Sequence, residues 1–97
     1  MAELLQLARA ASEAALATEG VYSLGRGRWV EAATYEGGEK VSGVVVGPEE
    51  LEIHIVARYP LPKPIPEIAA EIMERVAPRA GGRRITIVVE DLEVAEV

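Results

Sequence analysis

Cysteine is missing from all 97 positions. Disulfides and thiolate metal sites are therefore excluded. Phenylalanine is missing too, and Trp29 with three tyrosines supplies every aromatic ring. The core must be built from Val, Ile, Leu and Ala. Asparagine is absent, and glutamine and aspartate occur once each, as Gln6 and Asp91. Few labile amides beside 27% charged residues fit a thermophile. A GC-rich genome, which favours Arg and Ala, gives the same bias. No apolar run approaches the roughly 20 residues that span a bilayer, so no membrane span is expected. No basic start followed by an apolar stretch marks a signal peptide, so the expected location is cytoplasmic. Basic charge is scarce: ten Lys and Arg stand against sixteen Asp and Glu, for a net charge of −6. General nucleic-acid and anionic-membrane surfaces want clustered Lys and Arg, so neither is an expected partner.

What is present is an ordinary globular composition, 49% apolar. One domain over residues 1–97 is expected, large enough to bury one core without staples.

The chain is organised around Leu51–Val76. Leu51, Ile53, Ile55, Ala57 and Tyr59 alternate with Glu52, His54 and Arg58, with Val56 as the exception. That period is a half-buried strand. Pro60, Pro62, Pro64 and Pro66 then impose an extended, stiff elbow close to polyproline II. Pro66 suits the first turn of a helix, where its missing N–H is not needed, and Glu67 favours the helix dipole there. Ile65, Ile68, Ala69, Ile72, Met73 and Val76 form one apolar helical stripe. Glu71 and Arg75 pair outside it at i, i+4, worth only about 0.2–0.5 kcal/mol. The helix is thus expected because its stripe is buried, and Pro78 with Gly81-Gly82 stops it.

Ahead of this unit, residues Glu3 to Thr18 are Ala-rich with no Pro or Gly. Leu4, Leu7, Ala8, Ala11 and Ala15 fall at helical spacing, and Gly20 suits a C′ position. The polar face is too mixed for a membrane-surface helix, so a core helix is expected. Val21 and Leu24 read as an apolar hook. Gly25–Arg28 reads as a solvated loop. Residues 28–35 alternate weakly, as a short edge strand would, with Gly37-Gly38 a turn into Val41. Val41–Val46 reads as a strand interrupted by Gly43, forming an antiparallel hairpin with Leu51–Tyr59. Ile85, Ile87 and Val89 mark a third clear strand over Arg84–Glu90, with 92–97 continuing it or fraying. The expected class is α+β: a small three- to four-stranded, mostly antiparallel sheet with two helices on one face. Sheet order stays open, because the third strand fits either side of the hairpin.

Catalytic constellations are sparse. His54 is the only histidine and reads as a surface residue on the solvent face. Ser12, Ser23 and Ser42 sit in no G-x-S-x-G elbow. Glu49-Glu50 and Glu90-Asp91 read as solvated acids. One histidine among scattered glutamates makes no metal site, and neither cofactor nor catalytic residue is expected. A KH-type RNA module needs a G-x-x-G loop, which the chain lacks.

These elements resemble the bacterial alkaline shock protein family of envelope and general stress proteins. The resemblance is carried by the Ala-rich first helix ending in Glu19-Gly20-Val21-Tyr22-Ser23-Leu24, by Gly43–Val46, and by Leu51–Tyr59. It is carried further by Pro64-Ile65-Pro66-Glu67-Ile68-Ala69 and by the valine-rich strand Ile85–Val89. Against the family pattern, the elbow between Tyr59 and Pro64 is long, and Pro78 shortens the second helix. Ala80–Arg84 replaces a Thr-Gly approach to the last strand, and 25–40 match poorly. The resemblance implies a non-catalytic cytoplasmic protein that self-associates and reaches the membrane through a small membrane-anchor partner. It also implies a role in envelope stress or lipid homeostasis.

The stiff elbow Pro60–Pro66, with Leu61, Lys63 and Ile65 as its partner surface, or else an exposed sheet edge, is expected to dock a partner or another copy of the chain, since little ordering entropy is lost when a preformed segment binds. The alternative is that the elbow's prolines only set the strand-to-helix angle. A second candidate activity is RNA or phosphate-ligand binding through Arg26, Arg28, Arg83 and Arg84.

Overall fold

The fold is known from a computed structural model that describes residues 3–28 and 30–94. The chain runs α1 (Glu3–Leu16), β1 (Val21–Leu24), β2 (Ala33–Glu36), β3 (Glu39–Ser42), β4 (Val44–Val46) and β5 (Glu50–Tyr59). It continues through α2 (Ile65–Val76), a 3₁₀ turn (Ala77–Arg79) and β6 (Arg84–Val94). The class is α+β: a mixed four-stranded sheet with both helices on one face, and a two-stranded ribbon of β2 and β3.

β5 is the spine of the sheet. Its odd positions Leu51, Ile53, Ile55 and Ala57 are buried, as an extended chain with one face on a core requires. One edge of β5 carries two short antiparallel strands end to end. β4 covers the first half (Val44↔Ile53, Val46↔Leu51) and β1 the second (Leu24↔Ile55, Val21↔Ala57). The other edge carries β6 in parallel from Glu50↔Arg84 to Tyr59↔Val94, which settles the strand order that the sequence left open. A parallel neighbour needs a crossover, and α2 is that crossover.

α2 follows its stripe: Ile68, Ile72 and Val76 are buried, with proline in the first turn. α1 needs one correction. Its buried line is Leu5, Ala8, Ala11 and Ala15, while Leu4 is exposed. At about 100° per residue, Leu4, four before Ala8, falls nearer the alanine line than Leu5 does, so tertiary packing and not helical spacing selects Leu5. The ribbon fixes that rotation: the Leu5 N–H donates to Glu36 Oε1 at 3.1 Å, and Arg9 reaches Glu39 at 2.6 Å. The small alanines let α1 lie close on the sheet.

Three further expectations change. Val21–Leu24 is the strand β1 rather than a hook, because the edge of β5 beyond Ile55 needs a partner. Val41–Val46 is two strands in two sheets. The chain breaks at Gly43, where φ is +88° and a Cβ would lie 2.7 Å from Leu24 Cβ and 2.8 Å from the Gly25 carbonyl oxygen. The weak strand of 28–35 begins only at Ala33, with Trp29 outside the described residues. Gly37 and Gly38 then turn it into β3 with φ of 59° and 82°. Two positive φ values are what a two-residue hairpin of type I′ demands. β6 runs past Glu90 to Val94; positions 95–97 of the tail lie outside the described residues.

Beyond the helices the sheet runs on. Tyr59 and Val94 are paired partners at the far end, 52% and 68% exposed, beside Leu92 at 44%.

Candidate functional site

The face of the sheet turned away from the helices holds a polar cluster built from residues distant in sequence. It begins with a slip in β6. Ile55 pairs with Val89, but Val56 pairs with Asp91, so Glu90 is an extra residue. A bulge of this kind re-aims a side chain. The Glu90 carboxylate turns under the Gly25–Arg28 loop, where its Oε1 accepts from the Arg26 N–H (3.2 Å) and its Oε2 from the Gly27 N–H (2.7 Å). The same Oε2 lies 2.7 Å from His54 Nδ1, and Glu52 Oε1 lies 2.8 Å from His54 Nε2.

Two glycines make the loop's approach possible. A Cβ on Gly25 would collide with the Glu90 carboxylate. One on Gly27, at φ +90°, would collide with the Val30 carbonyl. The loop closes on itself through Ala32 N–H to Arg26 O (2.9 Å) and joins the sheet through Gly43 N–H to Ala32 O (2.7 Å). The backbone of His54 is the meeting point. Its N–H donates to Gly43 O at 2.8 Å and its carbonyl accepts from Gly25 N–H at 2.7 Å. His54 thus marks the place where β5 changes neighbour from β4 to β1.

Three sequence expectations are corrected here. The His54 side chain is only 13% exposed and that of Glu90 only 9%, because the loop covers them. The loop's backbone is not simply solvated: the anion it grips is the chain's own carboxylate. A carboxylate can be held under such a loop because backbone donors and a ring nitrogen meet its oxygens. A signal for this existed in the sequence. Apolar positions run odd through Ile85, Ile87 and Val89, then even through Leu92 and Val94, and that change of phase is a bulge.

The chemistry open to the cluster is narrow. The two carboxylates approach opposite nitrogens and do not converge on one point, and no metal-binding group occurs among the described residues. A neighbouring hollow of about 350 Å³ is lined mainly by Val30, Val88, Val89, Gly27 and His54. The arrangement holds a loop on a sheet.

The other candidate residues are dispersed. Leu61 packs against the core, and Ile65 opens α2 half-buried. Lys63 reaches Glu71 at 2.6 Å, and Arg75 reaches the same carboxylate at 3.2 Å. The hydrogen bond from Lys63, aided by that from Arg75, holds the Glu71 carboxyl below its ordinary range. The same bond to Glu71 raises the Lys63 ammonium. Arg83 donates from Nε to Gly47 O (2.7 Å) and from Nη1 to Ala80 O (3.0 Å), which ties the α2–β6 turn to the β4–β5 turn. Arg84 pairs with Glu50 at 3.1 Å. Arg26 and Arg28 sit near Glu90, six residues along β6 from Arg84, or about 20 Å at strand rise. The four arginines form no single patch.

No helix among the described residues is long and apolar enough to cross a membrane. Compared with known proteins, the chain matches no family model, no curated protein and no solved structure.

Proposed function

We propose that this protein is a non-catalytic interaction module that takes up an extended segment of another polypeptide along β6. One observation carries the reading: among the described residues, the outer edge of β6 has no strand partner over eleven residues. An unpaired edge of that length is a template for strand addition, in which main-chain hydrogen bonds supply affinity. Exposed Tyr59, Leu92 and Val94 at its far end offer apolar contact to the added strand. The alkaline shock resemblance supports the same class of role. It adds self-association, a small membrane-anchor partner, cytoplasmic residence and envelope stress as the biological setting to test. RNA or phosphate-ligand binding is the weaker proposal, because Arg83 is committed to two carbonyls and the four arginines are dispersed.

The test is affinity capture from the native cell, with wild type beside an Ile87→Pro variant shown to be folded. Proline is tolerated on an edge and removes the donor in mid-edge. Loss of a specific captured protein in the variant supports strand addition. Identical capture by both overturns it.

A further inference from the structure

We infer that β6 pairs with β6 of a second copy, antiparallel, with Val88 on the two-fold axis. This rests on the strand-addition reading and names its occupant. The Arg84 N–H donates to Glu49 O at 2.9 Å, so the backbone groups of Arg84 point at β5. Alternation along a parallel strand then turns the N–H and C=O of Ile85, Ile87 and Val89 to the open edge. Beyond the extra residue Glu90 the phase changes, and Leu92 and Val94 take the outward positions.

A closed two-fold pairing sets the same strand against itself. With Val88 on the axis and Glu90 bulged out, Ile87 faces Val89 of the second copy and Ile85 faces its Leu92. All four have outward backbone groups, so both are hydrogen-bonded pairs, and their side chains lie on the helix side of the sheet. On the other side Thr86 faces Asp91, and Arg84 faces Glu93. Every facing pair shares a face, and it is the bulge that brings Ile85 opposite Leu92 and Arg84 opposite Glu93; an unbroken strand would set Ile85 against Asp91 and Arg84 against Leu92. Without the bulge, Ile85 and Leu92 would be on opposite faces. Charge selects this register over its neighbours. A slide toward the C-terminal end sets Glu90, Asp91 and Glu93 against their own copies. A slide the other way leaves Leu92 and Val94 bare. Val88 at the axis brings cation to carboxylate twice, and like charges nowhere.

The experiment is sedimentation equilibrium and native mass spectrometry on the full chain, with folding checked by circular dichroism. Wild type is expected to be dimeric. Arg84→Glu alone and Glu93→Arg alone each place like charges across the axis, and each weakens the dimer roughly tenfold. Mixed together, the two variants restore charge complementarity, and the heterodimer exceeds its statistical share. Ile87→Pro is folded and monomeric. A wild type still monomeric at about 1 mM overturns the proposal. So does a dimer indifferent to Ile87→Pro, or a mixture with no heterodimer preference. Capture of another protein that Ile87→Pro abolishes, from a monomeric wild type, would leave strand addition standing while self-pairing fell.

Discussion

Gly43 passes so close to Leu24 that a single added methyl would lie 2.7 Å from the Leu24 Cβ. Here one edge of β5 passes from β4 to β1, and the chain leaves for the β2–β3 ribbon. The backbone at φ +88° is one that side chains rarely adopt.

Gly43→Ala is therefore expected to cost about 2 kcal/mol or more, combining backbone strain with the clash. Gly37→Asn is the control. Its φ of 59° is one asparagine tolerates, and nothing lies within 4 Å of an added Cβ. It should be neutral within about 0.5 kcal/mol or slightly stabilising. Urea denaturation of both variants checks the pair.

Glu90→Ala removes the acceptor for two backbone N–H groups and the partner of a covered histidine. A loss of about 2–3 kcal/mol is expected. Hydrogen exchange gives the sharper readout. The amides of Arg26 and Gly27 should lose protection while those of Ile53 and Ile55 keep theirs. Unchanged exchange at 26 and 27 would mean that the carboxylate does not hold the loop.

Leu5 and Leu4 separate the true inner line of α1 from its neighbour. Leu5→Ala should cost about 2–5 kcal/mol, as fully buried leucines do. Leu4→Ala, at a position already 38% exposed, should cost under about 1 kcal/mol. Equal losses in thermal melts would rotate the helix away from the geometry described.

Glu71 carries the pH dependence of the elbow. Its carboxyl is lowered in the fold, first by the Lys63 hydrogen bond and then by Arg75. A lowered carboxyl stabilises above its unfolded value, and that contribution is lost as pH falls through the folded one. Lys63→Met should thus melt earlier than wild type near pH 7, with the gap closing toward about pH 2. A gap that persists at acid pH would assign the loss to the lysine's methylenes.

Much of the fold was legible where one period governed a stretch. The β5 alternation and the α2 stripe needed no tertiary information, because each buries a single face. The turn at Gly37-Gly38 was legible for the same local reason. What escaped depended on a partner distant in sequence. β1 is a strand only because β5 has edge to spare beyond Ile55. The inner line of α1 was ambiguous because adjacent leucines both flank an alanine row, and Glu36 and Glu39 of the ribbon decide between them. The polar cluster was missed because Glu90, His54 and the Gly25–Arg28 loop are brought together by a one-residue slip. Read with unbroken alternation, that slip puts a carboxylate at a solvated strand end.

The parallel union of β5 and β6 sets a timetable for synthesis. When β5 leaves the ribosome it can zip at once to β4 and β1, already made. Its opposite flank must wait roughly 30 residues for β6, a delay of roughly 2–6 s at common translation speeds. Through that interval Leu51, Ile53 and Ile55 stand beside a vacant hydrogen-bonding rail, and any nascent neighbour can claim it first.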